Sequence, residues 1–123
     1  MSTLNITTRQ SGPVAILDLE GQIRLGETNA NLHKAVRELV DGGEKNVLLN
    51  LAKVTGIDSS GLGSLVAAHA TLEKNGGEMK LLNLNDRVTE LMMITKLLTV
   101  FDVFDNEGEA VASFPTGEAS AGA

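Results

Sequence analysis

No cysteine occurs among the 123 residues. That excludes a disulfide scaffold, a thiolate nucleophile, a Cys-ligated zinc site and an iron–sulfur cluster. Histidine is scarce: His33 and His69 stand far apart, so no His-rich metal site, and no cofactor, is expected. Tryptophan and tyrosine are missing, and the 2% aromatic content is phenylalanine alone. The stacking platforms that single-stranded nucleic acid requires are therefore lacking. So is positive charge: the formal net charge is −6, with no basic stripe to meet phosphates. No apolar run approaches the roughly 20 residues of a bilayer span. The amino end, Met1-Ser2-Thr3-Leu4-Asn5, has no basic stretch followed by an apolar block, so no signal peptide is expected. A cytoplasmic protein without membrane insertion or direct nucleic-acid contact is the expectation.

What is present is globular: hydrophobic residues make 42% and charged residues 21%. The length suits one domain. It is expected over residues 1–114, with a loose, small and polar tail over 115–123. Residues 4–9 alternate apolar and polar, Leu4 and Ile6 on one face, which is the period of a half-buried strand. Ser11-Gly12-Pro13 is turn chemistry, and residues 14–20 form a second strand with Ala15, Leu17 and Leu19 on one face. The spacing predicts an antiparallel hairpin. Residues 22–26 read as a loop, and residues 28–41 as a helix with Leu32, Val36, Leu39 and Val40 in one stripe. Gly42-Gly43 stops it.

Residues 47–51 are apolar except Asn50, as in a strand covered on both faces. Residues 53–58 read as a loop, and residues 60–75 as a helix with Leu62, Leu65, Val66, His69 and Leu72 on one face. Gly76-Gly77 closes it, residues 79–84 form a strand, and Asn85-Asp86 starts a third helix with Val88, Leu91 and Met92 facing in. A last short strand falls within 97–104 and a final helix within 106–114, with Ala110, Val111 and Phe114 inward. The expected fold is α/β: a mixed, mostly parallel sheet of about five strands, an N-terminal hairpin and about four helices.

Most catalytic readings fail on spacing. Gly61-Leu62-Gly63 begins a dinucleotide fingerprint, but its third glycine would fall at Val66. No P-loop occurs, and no serine has glycine two residues away on both sides, as a hydrolase elbow requires. His69 falls on a core-facing stripe and reads as a packing residue rather than a general base. An aspartyl phospho-acceptor at Asp58 lacks the acidic pair and the lysine of a receiver domain, and the chain begins with a hairpin.

The segment Ile57-Asp58-Ser59-Ser60-Gly61-Leu62-Gly63 remains. A strand ends, polar residues cluster, and glycines open a helix. Any of Asp58, Ser59 and Ser60 can cap the helix's free N–H groups. A cap needs one oxygen, and two hydroxyls and a carboxylate compete for it. The surplus serine is then free to carry a phosphate, whose charge the helix N-terminus stabilises and Asp58 opposes. Phosphorylation there alters the surface more than the core.

At this segment the sequence resembles the STAS-domain anti-sigma factor antagonists, the bacterial partner-switching proteins. The likeness runs over about residues 4–114. It includes Val47-Leu48-Leu49-Asn50-Leu51, the Asp58-Ser59-Ser60-Gly61-Leu62-Gly63 run, Gly76-Gly77-Glu78-Met79-Lys80-Leu81 and the Glu109-Ala110 ending. The resemblance implies a binding protein, not an enzyme. Its partners would be an anti-sigma factor that is also a serine kinase, and a metal-dependent serine phosphatase. Unmodified, the antagonist binds the anti-sigma factor and the sigma factor is released. Phosphorylation of the serine after the aspartate, here Ser59, ends the complex. Asp58 would then shape the loop, Gly61 and Gly63 would allow close approach of the partner, and Ser60 and Leu62 would be partner-binding residues with them.

One departure concerns partner choice. Many members carry an aspartate two or three residues beyond the glycine ending the second strand, where this chain has Gly21-Gln22-Ile23-Arg24. Arg24 is thus a candidate specificity residue. Met93 is a further candidate contact, while Glu107 and Glu109 read as a solvated helix start. Two rival functions have the same fold or loop: an accessory subunit of a membrane transporter or lipid-transport ATPase, and a nucleotide hydrolase. The hydrolase has no base, metal cluster or phosphate-cradling loop to work with.

Overall fold

In the computed structural model the described residues are 4–23 and 27–114. Arg24 and the tail expected over residues 115–123 lie outside them. Strand β1 (Leu4–Ser11) turns through Gly12-Pro13 into β2 (Val14–Ile23), with Ser11 opposite Val14. This two-residue turn places Gly12 at φ +58°, a conformation that favours glycine. Helix α1 (Glu27–Asp41) leads to β3 (Asn46–Ile57), α2 (Ser59–Lys74) to β4 (Glu78–Leu82), and α3 (Asp86–Ile94) to β5 (Val103–Phe104). Helix α4 (Glu107–Ala112) follows.

The sheet order is β1-β2-β3-β4-β5, antiparallel between β1 and β2 and parallel elsewhere. Alternation along the strands sorts their side chains into two cores. Leu17, Leu19, Val47, Leu49, Leu51, Met79 and Leu81 point to one face, where they meet Leu32, Val36, Leu62, Leu65, Leu72, Val88 and Met92 of α1, α2 and α3. Val14, Ile16, Leu48 and Leu82 point to the other, where Ala110 and Phe114 cover them. Leu48 is wholly buried, as expected of a strand packed on both sides. Both double-glycine stops close their helices with paired bonds. Glu44 N–H donates to Leu39 O and Gly43 N–H to Val40 O. Gly77 N–H donates to Leu72 O and Gly76 N–H to Glu73 O.

Three segments differ from expectation. The loop expected over residues 53–58 is strand as far as Ile57, and β2 runs on to Ile23 where a loop was expected. The register explains both. Asp18 faces Asn50, but Glu20 faces Lys53; Gly21 faces Val54, but Gln22 faces Gly56. At each step β3 carries one extra residue, and these bulges break the alternation that marks a strand. The strand expected within 97–104 shrinks to Val103–Phe104, preceded by a 3-10 turn at Leu97–Thr99.

Candidate functional site

The long β3 delivers Asp58 directly from the sheet to the start of α2. Asp58 is extended, at φ −113° and ψ −176°, and its Oδ1 accepts from Gly61 N–H at 2.8 Å. Its backbone O accepts from Leu62 N–H at 2.9 Å, and its N–H donates to Ile23 O at 3.4 Å. The competition for the cap is thereby decided: the carboxylate takes it, and neither hydroxyl does. Ser59, first in the helix, is exposed. Among the described residues its hydroxyl has no hydrogen-bond partner. Ser60 is half-buried, and its backbone O accepts from Ser64 Oγ at 3.2 Å. The first N–H groups of α2, at Ser59 and Ser60, have no intrahelical acceptor, so the dipole's positive end opens beside Ser59.

The two glycines of the motif have different surroundings. Gly61 is buried, and a Cβ there would meet the Ile23 main chain, 2.7 Å from its carbonyl carbon. The close approach it allows is therefore not of the partner, as expected, but internal, between α2 and the end of β2. Leu62 is 2% exposed and belongs to the core. Gly63 is exposed, with nothing within 4 Å of where its Cβ would stand. Of the segment, Asp58, Ser59, Ser60 and Gly63 thus reach the surface, while Gly61 and Leu62 anchor it.

Helix α3 borders the same end of the sheet. Asn85 caps it, its Oδ1 accepting from Val88 N–H at 2.9 Å, while its Nδ2 donates to Val54 O of β3 at 2.6 Å. A groove there is lined by Ile57, Leu91 and Ile94 together with Asp86, Arg87 and Glu90. Met93 and Ile94 are 63% and 70% exposed, the most exposed large apolar side chains among the described residues. His69 packs edge-on against Phe101, ring centroids 5.3 Å apart, with Nδ1 3.2 Å from Glu73. It serves packing, as its stripe implied. Among the described residues no cluster of His, Cys, Asp and Glu could hold a metal ion.

A polar network on the opposite face carries no local signal in the sequence. Arg9 donates from Nη2 to Asp18 at 3.0 Å and to Glu107 at 2.7 Å, 98 residues away in the chain. Asn50 Nδ2 donates to Asp18 Oδ1 at 2.9 Å. The Arg9 guanidinium holds the carboxyls of Asp18 and Glu107 below the usual carboxylate range, and they raise Arg9 in turn. Glu107, expected as a solvated helix start, instead ties α4 to the first hairpin. Lys80, 7% exposed, holds the other end of that region: its Nζ donates to Ser113 O at 3.0 Å and to Ser113 Oγ at 3.1 Å.

The sequence profile of the STAS domain matches residues 5–110. The anti-sigma-B factor antagonist of Staphylococcus aureus is 30% identical over 108 residues, 88% of this chain and 97% of that one. The structure of the Bacillus cell fate determinant SpoIIAA in its phosphorylated form has the same fold, with a TM-score of 0.69. Its identity to this chain is 17%, over 88% of this chain and 97% of that one. A sulfate transporter family protein from Wolinella succinogenes also shares the fold, with a TM-score of 0.70 at 22% identity. The match spans 81% of this chain and 83% of that protein.

Proposed function

The chain belongs to the STAS domain family, and from that premise we propose that it is an anti-sigma factor antagonist switched by phosphorylation of Ser59. Unmodified, the surface of Asp58, Ser59, Ser60 and Gly63, with Arg24 setting partner choice, docks on an anti-sigma factor that is also a serine kinase. The sigma factor then goes free. Gly61 and Leu62 hold that surface against β2 and the core. The kinase moves the γ-phosphoryl group of ATP to Ser59 Oγ, which loses its proton, and the complex separates. A serine phosphatase hydrolyses the ester and restores the binding form. The protein supplies no catalysis of its own and acts in the cytoplasm.

The observation that carries this reading is the free hydroxyl of Ser59, exposed at a helix N-terminus whose cap Asp58 already supplies. A phosphate there carries a charge of about −1.5 to −2. The α2 dipole accommodates it without disturbing the fold. A partner surface shaped for a neutral hydroxyl offers no counter-charge, and Asp58 adds repulsion within the loop. Desolvating an uncompensated charge at an interface costs about 2–5 kcal/mol. At 1.4 kcal/mol per tenfold, that weakens binding about thirtyfold to a few thousandfold.

The test begins with capture of the anti-sigma factor, followed by titration of variants with and without ATP. Ser59→Ala binds and is not released by ATP. Ser59→Asp binds weakly, though less weakly than the phosphorylated protein. Ser60→Ala still takes phosphate and is released. Phosphate on Ser60, or tight binding by the phosphorylated protein, refutes the mechanism. The likeness to a sulfate transporter family protein supports a second reading, an accessory domain of a transporter. Co-purification with a transporter or its ATPase in place of an anti-sigma factor would decide for it. No helix among the described residues is long and apolar enough to cross a membrane.

A further inference from the structure

We propose that the outer edge of β1, together with the side of α1 beside it, is a two-fold interface between two copies of this chain. Among the described residues no strand pairs with the outer edge of β1, which ends the sheet over eight residues. Sheets that stay monomeric blunt such an edge with proline, inward-pointing charge or a bulge. Residues Leu4 to Thr8 carry no charge and no proline. The pairing of β1 with β2 runs without a bulge from Leu4 to Ser11. The one charge on the strand, Arg9, is engaged with Asp18 and Glu107.

Beside this edge lies a groove between β1 and α1. Leu4, Ile6, Ala35 and Leu39 supply its apolar lining, and Thr8, Asn31, Lys34 and Glu38 its polar lining. Ile6, Ala35 and Leu39 are only partly buried. Lys34 and Glu38 are one helical turn apart and both exposed, yet among the described residues neither enters an ion pair.

These features fit a second copy better than an unrelated partner, because the charge pattern complements itself. A two-fold axis sets the same patch against itself, so residue i meets j and j meets i. Two β1 strands paired across such an axis run antiparallel and join the sheets. Helix α1 packs over both β1 and β2. Its axis and that of its copy then fall about two strand spacings apart, about 9–10 Å. Helices pack at roughly 8–10 Å. Antiparallel across the axis, Lys34 of each chain faces the partner's Glu38, twice over, beside the joined apolar linings. None of this uses the Ser59 surface, which lies at the carboxyl end of β3, two strands away, so the proposal stands apart from the proposed function.

Sedimentation velocity of the full chain over a range of concentrations tests it. A dimer is expected that weakens as salt is raised. Lys34→Glu and Glu38→Lys each place like charges across the axis and weaken the dimer about tenfold or more. The double variant, Lys34→Glu with Glu38→Lys, restores the pairing in reverse and recovers the wild-type constant. Both positions are exposed, and unchanged circular dichroism verifies that the variants fold. A monomer at every concentration leaves the groove to some other partner and overturns the proposal. A dimer that neither single variant weakens, or a double variant as weak as the singles, overturns it as well.

Discussion

Replacing either motif glycine by alanine should change stability in opposite directions, although the two stand only two residues apart in one helix. Alanine is the better helix former by about 1 kcal/mol at both sites. At Gly63 nothing lies within 4 Å of the new methyl group. Gly63→Ala therefore keeps most of that gain, about 0.4–1 kcal/mol. At Gly61 the methyl group is driven into the Ile23 carbonyl, and the obstruction is main chain of β2 rather than a side chain that can rotate. Forced shifts of this kind cost about 1–3 kcal/mol. The rigid obstruction argues for the upper end, which leaves Gly61→Ala net destabilised by about 1–2 kcal/mol after the propensity gain. Urea unfolding reads both values, provided that the m-values match the wild type, so that midpoint shifts report stability. Binding gives the second axis. Gly63→Ala should weaken partner binding while the fold grows more stable, because the methyl group stands on the docking surface. A Gly61→Ala protein as stable as wild type, or a destabilised Gly63→Ala protein, would refute the reasoning.

Leu48→Ala removes a wholly buried side chain and should cost about 2–5 kcal/mol in urea unfolding. Asp58→Ala removes the carboxylate that caps α2 and should cost about 0.5–2 kcal/mol; calorimetry gives the shift in melting temperature. The carboxyls of Asp18 and Glu107 sit below their unfolded values because of Arg9. Their stabilisation is thus present above the ordinary carboxylate range, near pH 4, and is lost as the pH falls through their depressed folded values. Acid unfolding of wild type and Arg9→Gln should therefore converge at low pH and separate near neutrality, by about 1 kcal/mol or less for so exposed a pair.

The helices were legible in the sequence because each signal is local. The stripe of Leu32, Val36, Leu39 and Val40 and the glycine pair after it locate α1 to within a residue. Asn85 announces α3 in the same way. Strand β3 was legible only to its first bulge, since two inserted residues and Gly56 destroy the period by which strands are read. At the candidate site, the surplus of capping groups was visible, but which oxygen wins depends on how Asp58 leaves the sheet. The constraint on Gly61 was invisible because the atom that imposes it belongs to Ile23, at the end of a different strand. The contact of Arg9 with Glu107 joins the two ends of the chain, and no window of sequence contains both.

The strand order has a consequence for how the molecule is made. Each strand lies beside the one that precedes it in the chain. A polypeptide leaving the ribosome amino end first therefore presents every new strand with its neighbour already synthesised. Helix α4 is the exception, because it returns to Val14, Ile16 and the region of Arg9 after the rest of the sheet has emerged. Until Ala110 and Phe114 arrive, Val14, Ile16, Leu48 and Leu82 form a bare apolar strip on a nearly complete sheet. A chain cut short before Glu107 would keep that strip bare, and should aggregate more readily than the full chain.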